Sequence, residues 1–127
     1  MSNDTNALNW FEIPVGNIER ATKFYETIFD ITMPKMEMMN MKMAMFPPDG
    51  KTGNVGGCLA ESPFHLPSEL GSIIYLNANP DLDIVLNKID AAGGKIVMPK
   101  TLIQEEIGYM AFFTDNEGNK VALHSSK

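Results

Sequence analysis

Two tetrapeptides decide how this chain is read: MAMF at residues 43–46 and MAFF at residues 110–113. Their first residues, Met43 and Met110, lie 67 positions apart. Working outward, Gly53-Asn54 follows the first copy and Gly118-Asn119 follows the second, at an offset of 65. Upstream, Ile18, Ala21, Tyr25 and Ile28 recur at helical spacing, and Leu82, Val85, Ile89 and Ala92 do so 64 positions later. Trp10 pairs with Ile73 at 63. Offsets that wander so little imply one structural unit used twice, with small insertions and deletions in its loops.

The unit can be spelled out from local signals. Residues 8–15 read as a strand, with Phe11, Ile13 and Val15 on one face and Trp10, Glu12 and Pro14 on the other. Asn17 reads as an N-cap opening a helix over 18–29, with Glu19 in its first turn. The methionine-rich segment changes parity at Met39-Asn40, which predicts two strands and a turn. A Pro/Gly loop over 47–54 precedes a strand over 55–60. After a proline-broken linker, the second half restarts with a strand over 72–78. Asn79-Pro80 is expected to open its helix and Gly93-Gly94 to close it. Strands over 95–98, 108–114 and 120–124 follow.

Each half therefore reads βαβββ. The predicted class is α+β: one domain over 1–127, with module one at about 7–61, a linker at about 62–69 and module two at about 70–125. One such module cannot bury both faces of its sheet. Two together are expected to form a cupped, half-barrel sheet with helices outside.

Composition narrows the partners. Hydrophobic residues make up 44% and charged residues 20%, enough for a packed core. A net charge of −6 repels nucleic acid and anionic membrane surfaces, and no cluster of Lys or Arg offsets it. The single cysteine, Cys58, cannot form an internal disulfide, which favours a reducing cytoplasm. The polar start lacks the pattern of a secretory signal, and no apolar run has the length of a membrane helix.

The paired βαβββ plan resembles the vicinal oxygen chelate superfamily, which holds glyoxalase I, bleomycin-resistance proteins and extradiol dioxygenases. NWFEIPVGNIERATKFYETIF is similar to the opening strand and helix of that family, and GYMAFFTDNEGNKVAL to its closing hairpin. In metal-dependent members, the first and last strands of each module supply ligands to a divalent cation that polarises substrate oxygens. On this sequence the resemblance puts those positions at Trp10, Gly57, Ile73 and Ala122, none of which binds a metal. No metal or other cofactor is therefore expected. A divalent metal held partly by Glu12 and His124, as in a glyoxalase I-like lyase or isomerase, is the alternative. Bleomycin-resistance-type relatives imply a homodimer that binds a small molecule without catalysis.

Strand parity sends Trp10, Glu12, Val55, Gly57, Leu59, Ile73, Tyr75, Asn77, Ala122 and His124 toward the cup. From these, the expected ligand-binding set is Trp10, Glu12, Leu59, Ile73, Tyr75, Asn77 and His124. Glu12 and His124 are its acid–base groups and the catalytic candidates. A structural hydrogen-bonded pair is the plainer alternative. The methionines could suit Cu(I). With no His or Cys among them in sequence, pocket lining is favoured, which suits a greasy small-molecule ligand. Cys58 is assigned to the helix-facing side and His65 to an exposed linker. Residues 101–107 are read as a loop, either solvated or a lid.

Overall fold

A computed structural model of the chain describes residues 1–48 and 53–127. The middle of the expected Pro/Gly loop, residues 49–52, lies outside the described residues. The first module consists of β1 (Trp10–Pro14), α1 (Ile18–Phe29), β2 (Lys35–Met38), β3 (Met41–Met45) and β4 (Gly56–Glu61). The second consists of β5 (Tyr75–Asn77), α2 (Asp83–Leu86), α3 (Ile89–Ala92), β6 (Lys95–Gln104), β7 (Gly108–Thr114) and β8 (Lys120–Ser125). The strands form two open sheets of the same order, β1-β4-β3-β2 and β5-β8-β7-β6, with the first pair parallel in each. The repeat read from MAMF and MAFF is thus a repeat of architecture.

Local chemistry explains most boundaries. Asn17 is extended and its Oδ1 accepts from the Arg20 backbone N–H at 2.9 Å, starting α1. Asp30 ends it in the left-handed conformation, at φ 53°. Met39 and Asn40 both have positive φ, 51° and 59°, which closes the β2–β3 hairpin in two residues. The second helix departs from expectation. It is two short turns rather than one helix, and Asn79-Pro80 does not open it. Leu82 precedes α2 without a side-chain cap, and its N–H donates to Ser125 Oγ instead. Gly93, at φ 108°, ends α3 as expected. Strand β6 runs on to Gln104, so residues 101–107 are the tip of the β6–β7 hairpin rather than a separate loop.

The helices of the two modules touch each other, and one continuous core takes in helix-facing residues of both sheets. Ile13, Ala44 and Leu59 come from the first sheet; Leu76, Phe113 and Leu123 come from the second. Phe24 and Tyr25 of α1 reach across the boundary, Phe24 stacking against Phe113 at 6.2 Å and Tyr25 bonding Asp115. The helix-covered faces of both sheets therefore share one core, and the opposite face of each open sheet is its outward face. The DNEGN turn at 115–119 locks the halves together. Asn119 Nδ2 donates to the Pro14 carbonyl at 2.7 Å, and the N–H groups of Gly16 and Asn17 donate to Glu117 Oε1 at 2.9 and 3.0 Å.

Candidate functional site

Cross-strand register assigns the outward face of the first sheet. Trp10 sits opposite Gly56 and Glu12 opposite Cys58. Met45 faces Cys58 and Met43 faces Ala60. Met36 faces Met43 and Met38 faces Met41. Five methionines, Trp10, Glu12 and Cys58 thus share one uncovered surface.

This register corrects part of the sequence reading. Leu59 is fully buried in the helix-side core, so it is not a cup residue. Gly57 goes with it, its missing Cβ leaving room for the Phe11 ring. Cys58, expected under the helices, packs with Met43 and Ala60 on the outward side. The cause is physical: Gly56 to Ala60 are all buried, so the strand carries no polar alternation from which parity could be read.

Glu12 does not pair with His124. Its Oε1 accepts from His65 Nε2 at 2.8 Å, across 53 residues of sequence. His65 is not exposed in the linker; its side chain is only 20% accessible. Its other ring nitrogen, Nδ1, lies 2.7 Å from Ser62 Oγ. A carboxylate only accepts, so Nε2 carries a proton toward Glu12. The chain Ser62–His65–Glu12 orients the carboxylate. Burial, followed by the nearby Glu12 charge, pushes the Cys58 thiol up to about 12, so it stays protonated at neutral pH.

The second sheet presents a different outward surface. Tyr75 lies opposite Ala122, and Asn77 opposite His124; Phe112 and Met110 sit across from these on β7. Tyr75 and Phe112 meet edge-on at 6.0 Å. Ile73, just before β5, is 40% exposed. His124 Nε2 donates to the Ile107 carbonyl at 2.8 Å, which ties the β6–β7 hairpin tip to β8. The expected acid–base pair is thus split between two sheets, and each member has another partner.

A cleft of about 1160 Å³ also opens between the modules, walled by Phe11, Phe29, Phe46, Ile74, Leu76 and Val85. It includes Tyr75 and Asn77 of the expected ligand-binding set but not Glu12, His65 or His124.

The described residues of one chain do not supply a ligand set for the divalent cation of the metal-dependent members. No three His, Cys, Asp or Glu side chains cluster among the described residues. Trp10 and Ala122 stand on the outward faces where the resemblance places ligands, and neither can donate.

With fold and faces in place, comparison with known proteins defines the class. Residues 7–123 match the model of the Glyoxalase/Bleomycin resistance protein/Dioxygenase superfamily, and the chain belongs to that family. A glyoxylase-like domain-containing protein from Didymella fabae is 26% identical over 126 residues, covering 91% of each chain. Among solved structures, a hypothetical protein from S. aureus superimposes with a TM-score of 0.69 at 22% identity, covering 95% of both chains. The antibiotic-binding protein TnmS3 from Streptomyces sp. CB03234 gives 0.65 at 20% identity, over 99% of this chain and 100% of that one. A glyoxalase I mutant from Zea mays gives 0.70 at 20% identity; this chain spans 45% of its length. At these identities the structural likenesses establish the fold.

Proposed function

We propose that this chain binds a small, partly hydrophobic molecule on the outward face of its first sheet, anchored by Glu12 and without a divalent metal. The observation that carries the reading is the oriented Glu12 carboxylate beside Trp10 and a wall of methionines. Thioether side chains adapt to irregular apolar shapes. A carboxylate fixed by Ser62 and His65 selects a ligand carrying an amine or hydroxyl. TnmS3, which shares the fold, is described as antibiotic-binding, and a drug-like occupant suits this surface. A second copy of the chain completes the cup, covering outward apolar side chains such as Ile73 and Tyr75. The lone, protonated Cys58 suits a reducing cytoplasm.

Trp10 is the sole tryptophan, so its fluorescence reports occupancy of this face. Titration with a panel of aromatic, amine-bearing antibiotics is expected to shift its emission saturably. Glu12→Gln is expected to weaken that binding about tenfold or more, as loss of a charged hydrogen bond predicts. No saturable change across the panel, or equal binding by Glu12→Gln, overturns the assignment. Elemental analysis of protein purified without chelator tests the metal clause. A stoichiometric divalent metal that Glu12→Ala removes would instead favour a glyoxalase I-like lyase or isomerase.

A further inference from the structure

We propose that the thioethers of Met43 and Met45, together with the sulfur of Cys58 and with Met41 at the margin, form a site for a soft monovalent cation, Cu(I) or Ag(I). The methionine run lacks a stronger sulfur donor in sequence, and the fold supplies one. Register brings Cys58 directly opposite Met45, with Met43 opposite the small Ala60 one pair further along. Met43, Cys58 and Ala60 form a single packed cluster, against which Met41 and Met45 lie half-buried. Met43, Met45 and Cys58 are therefore neighbours on one patch of the outward face, with Met41 at its margin.

The chemistry matches soft metals. Thioethers and thiols favour Cu(I) and its analogue Ag(I), while hard divalent cations need oxygen or nitrogen donors that do not cluster here among the described residues. Cys58 is fully buried and Met43 is 5% exposed, so the inner sulfurs sit away from water. Met41 and Met45 are partly accessible and form the way in. Methionine has three rotatable bonds, so the sulfurs can close around an ion without moving the strands. The Glu12 carboxylate sits opposite Cys58, and its negative charge favours a cation there. Binding exchanges one proton for one metal: the S–H bond of Cys58 breaks, the S–metal bond forms, and the proton leaves to solvent.

The test uses the full-length chain, reduced, with Ag(I) alone as the probe. Native mass spectrometry should show one Ag(I) per chain, with one proton released on titration in weak buffer. X-ray absorption at the silver edge should count three or more sulfur neighbours. The variant carrying Met41→Leu, Met43→Leu and Met45→Leu keeps side-chain volume. It should retain its melting temperature and lose affinity about tenfold or more. If that variant binds as tightly as the parent, or the bound ion in the parent has only one sulfur neighbour, the thiol alone is responsible and the proposal falls. The absorption measurement needs no variant, so a folding failure leaves the question decidable. Neither readout involves an organic ligand, so the outcome is independent of the function proposed above.

Discussion

Tyr25 of the first module donates its hydroxyl hydrogen bond to Asp115 Oδ2 of the second, at 2.8 Å, with no solvent access to the phenol. Asp115 also accepts from the N–H groups of Glu117 and Asn119 and from Asn119 Nδ2. Burial, then the neighbouring Asp115 charge, drives the phenol well above its ordinary range, so it remains a donor throughout the accessible pH range. Tyr25→Phe keeps the ring against Phe24 and Phe46 but removes that donor. It is expected to cost about 1–3 kcal/mol in urea denaturation, since a buried charge loses one partner and keeps the rest.

Glu117 links acid sensitivity to the junction between modules. Burial alone would raise its carboxyl, but hydrogen bonds from Arg20, Asn17 and Gly16 outweigh that and hold it below the ordinary range. A carboxyl depressed on folding contributes stability that is present above its unfolded pKa and lost as pH falls through the folded value. Stability should therefore decline on acidification below about pH 4.5. Glu117→Gln should lower stability at neutral pH and flatten that decline. The Arg20 guanidinium is 58% exposed, so solvent screens its part of the interaction. Arg20→Ala is expected to matter less than Glu117→Gln when both are compared by denaturant midpoint across pH.

Cys58 should be silent to thiol reagents in the native chain. It is fully buried, and a thiol pushed up to about 12 yields almost no thiolate at neutral pH. Labelling by iodoacetamide is expected only when the chain unfolds, with a rate that follows denaturant concentration. Fast stoichiometric labelling of native protein would contradict this placement.

Gly57 is a test of parity. A Cβ built there would lie 2.4 Å from the Phe11 ring, on the helix-covered side. Gly57→Ala should therefore destabilise the chain by about 1–3 kcal/mol through overpacking. Adding Phe11→Leu should recover part of the loss, giving a favourable coupling in a double-mutant cycle. A neutral Gly57→Ala would instead suit the outward orientation that simple alternation suggested.

Parts of the fold were legible because their signals are local. The α1 stripe, its Asn17 cap and the Met39-Asn40 turn each follow from the geometry of a few consecutive residues. The repeat, read at offsets of 63 to 67, carried the fold class. What stayed hidden lacked a local mark. Strand β4 is buried on both faces, so Leu59 and Cys58 exchanged sides in the sequence reading. The partner of Glu12 lies 53 residues away in a segment whose prolines signal only a linker. Thr101 to Gln104 extend β6 because they pair with β7, and three register shifts along that ladder blur the alternation that would have announced it.

The halves share a helix-side core and a turn pinned through Asn119, Glu117 and Pro14, while their strands stay in separate ladders. Mutations on one exterior surface need no compensating change on its twin. The two exterior faces accordingly differ in chemistry: one carries five methionines beside Trp10 and Glu12, the other Tyr75, Phe112 and His124.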